Sequence, residues 1–556
     1  MDEKYIKLAN IIFPNVTETI EDLEEKYPNN REGNITRFAP SPTGFLHTGA
    51  LFTTLVDKLI AHDNNGTYML RVEDTDKKRE VEGSVKLFTD ELCKFGLSPD
   101  EGVINETEEI GKYGPYIQSK RGHIYDICAK YLVSKGLAYP CFCSKENIDS
   151  TRVMQEKNKI VPGYYGVYAK CRNLSVDQYI ERVESGEEYI LRFRSSGNHL
   201  KKMSFIDGAK GKIEMAENDQ DIVIKKADGL PTYHFAHVCD DHFMRTTHVV
   251  RGEEWLPSTP MHIELFDAIG FKKPTYIHVP LIMVKDGESR RKLSKRKDKE
   301  AAVVYFLKAG YPVEGVIEYL MTLVNSDFEM WRSANKDKDI SEFKFKLNKM
   351  SSSGSLLDMD KLNDISKNYL ATLNSDELFN KLINWSKEYN KDIYDLLNND
   401  VEYSKKVLSV ERDSAKKVRK DLAKYEDFKE YYSYFFAEEY NKEILAGFNF
   451  NFDNGNITNN LIKEILIKYL DVYDENDTKE EWFNKIKEVA SSFNFATDMK
   501  DYKLNKQKYN GSVAEIATII RVAVTSKTNT PDLYEIMNVI TSKNTISRIK
   551  NVIENI

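Results

Sequence analysis

The spacing of apolar residues changes several times along this chain, and each change predicts an element. Ile6, Leu8, Ile11, Ile12 and Phe13 predict an amphipathic helix, followed to residue 34 by a linker rich in Asn and Gly. Ile35-Thr36-Arg37-Phe38-Ala39 reads as a short strand. Pro40-Ser41-Pro42-Thr43-Gly44 cannot continue as helix, because its prolines forbid it. From Gly49 to His62, Leu51, Leu55, Leu59 and Ile60 recur at helical spacing, and Tyr68-Met69-Leu70-Arg71-Val72 is the next strand. Strand, turn, helix and strand in this order open a doubly wound α/β domain. A helix is predicted over Tyr116 to Ser134, whereas 141–171 has little periodicity. Strand-like runs at 188–194 and 221–225 lead to a turn at Asp228-Gly229-Leu230-Pro231. His248-Val249-Val250-Arg251 and Thr275-Tyr276-Ile277-His278-Val279 read as later strands of the same sheet, which makes 113–232 an insert. Beyond Lys299 the spacing is helical almost to the end. Asn-rich stretches near 390–400 and 450–460 read as loops or hinges.

A chain of 556 residues exceeds one hydrophobic core, so several domains are expected. It is 41% hydrophobic and 30% charged, and no apolar run approaches the roughly 20 residues that span a bilayer. Met1-Asp2-Glu3-Lys4 is acidic and lacks a signal core, so a cytoplasmic protein is expected, with no membrane partner. Six cysteines fit a reducing compartment, and clustered ones are candidate metal ligands. The net charge of −8 argues against a general basic coat but leaves room for a local basic face.

Two segments carry the chemistry. Gly44, His47, Thr48 and Gly49 sit at a strand-to-helix turn, where backbone N–H groups meet a phosphate and His47 can donate to it. Lys292-Leu293-Ser294-Lys295-Arg296 lies in a polar stretch, 285–300, read as a mobile loop whose Lys292 and Lys295 suit a leaving pyrophosphate. Each alone has a plain reading, a Pro/Gly turn and a solvated basic loop. Together, in this order, they read as two halves of one ATP site.

These segments resemble the HIGH and KMSKS signatures of class I aminoacyl-tRNA synthetases, here His47-Thr48-Gly49-Ala50 and Lys292-Leu293-Ser294-Lys295-Arg296. Within that class the chain is similar to the bacterial-type glutamyl-tRNA synthetases. Arg37-Phe38-Ala39-Pro40-Ser41-Pro42-Thr43-Gly44, Arg71-Val72-Glu73-Asp74-Thr75-Asp76, Pro231-Thr232-Tyr233-His234-Phe235 and Arg251-Gly252-Glu253-Glu254-Trp255 carry the likeness. It is dense over 35–370, thins afterwards, and returns at Arg419-Lys420-Asp421 and Ile520-Arg521-Val522-Ala523-Val524-Thr525. The glutaminyl relatives differ at 71–76 and carry a β-barrel C-terminal region. A non-catalytic tRNA-binding paralogue would have lost His47, Glu73, Lys292 or Lys295.

The resemblance implies ATP with Mg²⁺, L-glutamate and tRNA(Glu) as substrates, with tRNA(Gln) left open, and a monomer. ATP would meet Gly44, His47, Thr48, Gly49, Glu254, Trp255, Lys292, Ser294 and Lys295. Glutamate would meet Arg37, Ala39, Ser41, Glu73, Tyr233, His237 and Arg251, guanidinium groups being suited to its carboxylates. An Arg37–Glu73 ion pair is the plain alternative, and protonation of His237 is a candidate tuner of binding. Transfer RNA would meet Gln118, Ser119 and Arg121 at its acceptor end and Arg419, Lys420 and Arg521 at its anticodon end. Cys141, Cys143 and Cys171 are a candidate zinc site, one ligand short, with Tyr165 or Tyr168 as the fourth.

The expected fold is α/β. A Rossmann-type catalytic domain (35–112 and 233–285) follows an extension over 1–34 and is split by an acceptor-end insert at 113–232. The lysine loop and a stem-contact region follow at 286–380, and an all-helical anticodon-binding region at 381–556.

Overall fold

The computed structural model describes all residues except 1, 2, 337, 352, 353, 446, 451 and 453–456. The chain divides into two compact units, one of 1–306 with 317–358 and one of 307–316 with 359–556. The second unit thus takes in Leu307–Val316 and resumes at Met359, and position 380 falls within a helix, Ser375–Tyr389.

In the first unit, helices α1 (Glu3–Ile12) and α2 (Ile20–Lys26) precede β1 (Ile35–Phe38), α3 (Thr48–Asp63), β2 (Thr67–Leu70), α4 (Ser84–Lys94), β3 (Glu101–Val103) and β4 (Glu109–Ile110). The extension thus holds two helices where one is predicted. Strands β1, β2 and β3 are parallel neighbours, and β4 is antiparallel to β3. All four residues of β1 are buried, as befits a central parallel strand.

The insert holds α5 (Gly122–Ser134), β5 (Ala138–Cys141), α6 (Lys145–Lys157), α7 (Val176–Glu184), β6 (Ile190–Phe193), the hairpin β7 (Lys202–Asp207) and β8 (Gly211–Ala216), and β9 (Val223–Lys225). Strands β5, β6 and β9 form its sheet. The helix predicted over 116–134 starts later. Gln118–Arg121 is a 3₁₀ turn, and Ile117 bridges to Val72.

The chain then returns through α8 (Tyr233–Phe243), β10 (His248–Gly252), α9 (Thr259–Ile269) and β11 (Thr275–Val279). Strands β10 and β11 are parallel partners, and β10 lies beside β1, with Thr247 N–H donating to Ile35 O at 2.9 Å. The predicted lysine loop is partly strand, since β12 (Ile282–Asp286) and β13 (Ser289–Lys292) form an antiparallel hairpin ending on Lys292.

The second unit is helical, with a core that includes Leu378, Leu382, Ile465, Leu466, Ile516 and Ile520. The predicted loop near 390–400 is a helix, Lys391–Asn399. Asn390 caps it by accepting from Ile393 N–H at 3.2 Å, and Ile393 and Leu397 bury one face at i, i+4. The predicted loop at 450–460 falls partly outside the described residues, and a helix starts at Asn459.

Helix α8 carries two adjacent, fully buried acids. Asp240 accepts from Arg121 Nε (2.5 Å), Gln118 Nε2 (2.9 Å) and Tyr125 Oη (2.9 Å). Asp241 accepts from Arg71 Nη1 (2.6 Å) and Arg37 Nε (3.2 Å). These contacts tie the insert's first helical turns, α8, β1 and the end of β2 together. Removing one member leaves an uncompensated buried charge, which costs about 3–5 kcal/mol. We expect Asp240→Ala to lower the unfolding free energy of the first unit by that amount, seen as a lower urea midpoint at unchanged m-value, whereas Asp76→Ala, at an exposed pair with Arg79, leaves the midpoint in place. An unchanged midpoint in Asp240→Ala would overturn this assignment.

Candidate active site

Strand β1 ends at Phe38, and the two prolines after it hold the chain extended toward the turn. Gly44 adopts φ +113°, a conformation that a side chain resists, and its N–H donates to Ser84 Oγ at 3.1 Å. His47 is the N-cap of α3, and its Nδ1 accepts from Gly49 N–H at 2.9 Å. That hydrogen bond fixes the tautomer, so Nε2 carries the proton. Burial, then Lys295 and Lys292, hold the imidazole down to about 4, which keeps it neutral. The amides of Gly49, Ala50 and Leu51 all point to His47 atoms, and Thr48 is buried with its hydroxyl on Glu300 O (2.6 Å). The first half of the site therefore offers His47 Nε2–H rather than the expected row of backbone amides or the Thr48 side chain.

The second half is held close by. Asp298 organises the turn after β13, accepting from Ser294 N–H at 2.8 Å and from Arg291 at 2.7 Å. Lys295 Nζ donates to Phe45 O at 3.1 Å and lies 4.4 Å from the Phe45 ring centre. Lys292 pairs with Glu254 at 2.9 Å. Both lysines thus flank the His47 turn. Trp255, next to Glu254, is 37% exposed, and its ring centre is 4.6 Å from that of Tyr233. It presents an open face rather than a core contact.

Behind this lies a polar pocket. The segments after β1 and β2 run side by side, joined by Arg71 N–H to Phe38 O (3.0 Å) and Glu73 N–H to Pro40 O (2.9 Å). Half-buried Ala39 and exposed Ser41 lie on the first segment. Glu73 pairs with Arg71 (3.1 Å), and Arg37 pairs with Asp241, so the alternative Arg37–Glu73 pair is not formed. Burial raises the Glu73 carboxyl above the usual range despite Arg71 and Arg37. Burial also raises the Tyr233 phenol, with Glu73 adding to the rise and Arg251 and Arg37 opposing it.

His237 is fully buried, with Nδ1 2.7 Å from Asp241 and Nε2 3.0 Å from Tyr276 Oη. Burial takes it down to about 4, so it stays neutral near pH 7 and titrates too low to be the expected tuner.

Arg251 is buried at the end of β10. Its Nε donates to His278 Nε2 (3.0 Å), Nη2 to Thr259 Oγ1 (2.8 Å) and Nη1 to His262 Nδ1 (3.0 Å). Among the described residues, none of its partners is a carboxylate. Three of its five N–H groups are engaged, and two remain.

Several predicted contacts are placed differently. Gln118 and Arg121 are 0% and 1% exposed and belong to Asp240, so neither reaches a phosphate. Half-buried Ser119 donates its N–H to Asp74, leaving Lys120 as the exposed cation of that turn. In the helical unit, Arg419 grips Asp421 through two bonds (2.8 and 2.9 Å), and Arg521 donates to Pro531 O (2.8 Å). Both also reach Thr530 O, so they brace that loop, and Lys420 is the exposed member of the set.

Cys141, Cys143 and Cys171 bring their sulfurs within 4.8 Å of one another. The neighbouring phenol is Tyr164, whose Oη lies 3.4 Å from Cys141 Sγ and 3.3 Å from Cys143 Sγ. Tyr165 instead donates to Val161 O and packs on Tyr168, so Tyr164 rather than Tyr165 is the phenol at the sulfurs. A tetrahedral zinc with Zn–S of about 2.3 Å needs sulfurs about 3.8 Å apart, and Cys143 and Cys171 are 3.6 Å apart. The donor set therefore fits zinc.

Asp240, Asp241, Arg71, His262, His278 and Tyr164 belong to the site or its support without being marked out by sequence pattern. One signal was available for the acids: Asp241 sits one turn after His237 on a helix whose other positions, Phe235, Val238 and Cys239, are apolar.

Residues 35–364 match the family "tRNA synthetases class I (E and Q), catalytic domain", and 377–553 match "Anticodon binding domain". A glutamate–tRNA ligase of Acetivibrio thermocellus is 45% identical over 554 residues, 99% of this chain and all of that protein. One from Clostridium perfringens strain SM101 is 44% identical over 98% of this chain and 99% of its own. Such coverage takes in the 1–34 extension, which the family match leaves out. A crystal structure of a glutamate tRNA ligase from Elizabethkingia meningosepticum, in complex with its amino acid, superposes with a TM-score of 0.73 at 27% identity, covering 94% of this chain and 99% of that one. Paired signature segments, a split α/β unit, a helical unit and matches over nearly the whole length agree: the chain belongs to the bacterial glutamyl-tRNA synthetases, a family of class I aminoacyl-tRNA synthetases.

Proposed function

We propose that this chain ligates L-glutamate to tRNA(Glu) at the expense of ATP, and that the pocket between His47 and Arg251 is where it does so. The observation that carries the reading is Arg251, a buried guanidinium with two open N–H groups and no carboxylate against it, beside Tyr233, Glu73 and Arg37. Glutamate brings two carboxylates and one ammonium. Arg251 and Arg37 take the carboxylates, Glu73 takes the ammonium, and Tyr233, Ser41 and the Ala39 backbone close around the rest.

In the first step a glutamate α-carboxylate oxygen attacks the α-phosphorus of ATP. The bond from that phosphorus to the bridging oxygen breaks, and pyrophosphate leaves with the electron pair. Mg²⁺ enters as the ATP complex. His47 donates Nε2–H to a phosphate oxygen, Lys295 leaves Phe45 O and Lys292 leaves Glu254 to meet the departing charge, and Trp255 flanks the adenosine. In the second step the terminal ribose hydroxyl of tRNA attacks the glutamyl carbonyl, and AMP leaves. No protein nucleophile takes part, so catalysis comes from positioning and charge stabilisation. The enzyme acts as a cytoplasmic monomer, and no helix among the described residues is long and apolar enough to cross a membrane. Cys141, Cys143, Cys171 and Tyr164 would hold a zinc ion, which would cross-link the ends of the 141–171 stretch around α6 and supply structure rather than chemistry.

The reading is tested by aminoacylation with ATP, Mg²⁺ and radiolabelled glutamate on separate glutamate and glutamine tRNA transcripts. Charging of the glutamate transcript is expected. Charging of both would add tRNA(Gln) as a substrate, whereas charging of neither by folded protein would favour a tRNA-binding paralogue. Lys295→Ala should lower kcat about 10²–10³-fold while tRNA affinity stays within about twofold, the loss typical of one transition-state donor. A parallel loss of tRNA binding would count against its role.

The pH dependence has a definite sign. Glu73 binds an ammonium only when ionised, so glutamate affinity is full above its raised pKa and falls as pH drops through it. The KM for glutamate should therefore climb on acidification sooner than an ordinary carboxylate would dictate, and Glu73→Gln should flatten that limb. His47 stays neutral down to about 4 and adds no limb between pH 5 and 8. Metal analysis should find about one zinc per chain, lost in Cys143→Ser and kept in Tyr165→Phe. Protein purified without chelator and free of zinc would remove the metal from this account.

A further inference from the structure

Arg251 is held on one side by an imidazole whose own partner comes from the insert. Its Nε–H donates to His278 Nε2 at 3.0 Å, which requires the ring to be neutral with its proton on Nδ1. Asp207 Oδ2 lies 2.6 Å from that Nδ1 and also accepts His278 N–H at 3.2 Å. Asp207 ends β7, at the turn of the insert's hairpin. Its Oδ1 accepts from Ala209 N–H (3.0 Å) and Lys210 N–H (2.9 Å). The turn is pressed onto β11: Gly208 N–H donates to Tyr276 O at 2.8 Å, and a Cβ on Gly208 would meet Ile277 Cγ1 at 2.7 Å. Asp207 and His278 are 1% and 0% exposed.

We infer that Asp207 and His278 are positioning residues for glutamate recognition: the carboxylate on the insert hairpin fixes the His278 tautomer that orients Arg251. The inference rests on the reading of Arg251 as a glutamate-binding group. A carboxylate placed directly on Arg251 would neutralise it and compete with the substrate. An imidazole between them passes on the orientation and leaves the guanidinium charge to the ligand. The other tautomer would set Nε2–H against Arg251 Nε–H and turn the side chain out of register. Amino-acid recognition is in this way keyed to the docking of the insert, a part of the chain that does not itself touch glutamate.

Asp207→Asn separates this role from a structural one. The amide oxygen is held by Ala209 N–H and Lys210 N–H, so the turn survives, and the amide NH₂ takes the place of Oδ2. It then donates to His278 Nδ1 and drives the ring to the wrong tautomer. His278→Gln provides the complement, because its Oε1 accepts from Arg251 and its NH₂ donates to Asp207 with no tautomer to choose. Aminoacylation of the glutamate transcript should show the KM for glutamate raised about tenfold or more in Asp207→Asn, as expected when a buried hydrogen bond to a charged group becomes a clash. The KM for ATP and the kcat at saturating glutamate should stay within about threefold, and His278→Gln should raise the glutamate KM less than Asp207→Asn does. Nitrogen-15 histidine spectra should show the His278 proton on Nδ1 in the wild type and on Nε2 in Asp207→Asn. A glutamate KM within twofold of wild type in Asp207→Asn, equal losses in both KM values and kcat, or an unchanged tautomer would each overturn the inference. A wild-type protein that charges no glutamate would instead overturn the proposed function, and the tautomer measurement would still stand by itself.

Discussion

Two adjacent carboxylates on one helix hold the catalytic unit in register. Asp240 and Asp241 sit against Arg121, Arg71 and Arg37, each from a different part of the chain. With Glu73 on Arg71, three buried cations face three buried anions. Desolvating such a set is costly, and good hydrogen-bond geometry is what offsets it. A balanced network of this kind tolerates no slippage, because moving one member strands another. The insert, the ends of β1 and β2, and α8 are therefore fixed relative to one another to within hydrogen-bond tolerance. That is the tolerance an adenylate-forming site needs.

Around this network the site relies on histidines that stay neutral. His47, His237, His262 and His278 all have burial as the leading influence lowering them, and each has a neighbour that selects its tautomer or orientation. An imidazole in such a place is a directional donor and acceptor rather than a charge. Cationic character is left to the arginines and lysines, which bind carboxylates and phosphates.

The outline of this arrangement was legible in the sequence because it depends on local features. Prolines before Gly44, the apolar period of α3 and the strand runs at 35–39, 68–72, 248–251 and 275–279 gave the α/β unit, and the two signature segments gave its active edge. What was not legible depended on burial across long separations. Gln118, Arg121, Arg419 and Arg521 look like surface cations or polar groups until their partners, 111 to 122 residues away in three cases, are seen. Arg521 finds Thr530 and Pro531 nearby, yet only the fold shows that their carbonyls face it. The helix at 391–399 was hidden because Asn390 acts as its N-cap and Asn398 and Asn399 fill its last turn, whereas asparagines in bulk resemble a loop. Tyr164 was missed for Tyr165 since adjacent tyrosines are equivalent in spacing and differ only in the direction they point.

The contacts of the extension have a consequence for how the chain is made. Glu24 pairs with Arg245 at 2.6 Å and with His242 at 2.5 Å, across 221 and 218 residues, and Arg31 pairs with Glu101 at 2.8 Å. At about 5–20 residues per second, some 10–40 s separate the synthesis of Glu24 from that of Arg245. Helix α1 packs on α5 and α7 of the insert, which are made earlier, so what waits through that interval is the end of α2 and Tyr27, whose carbonyl accepts from Arg245 Nε at 2.9 Å. The order of translation thus lets the extension settle on the insert first and close on 242–245 last, so that its final contacts form only once the catalytic half beyond the insert has arrived.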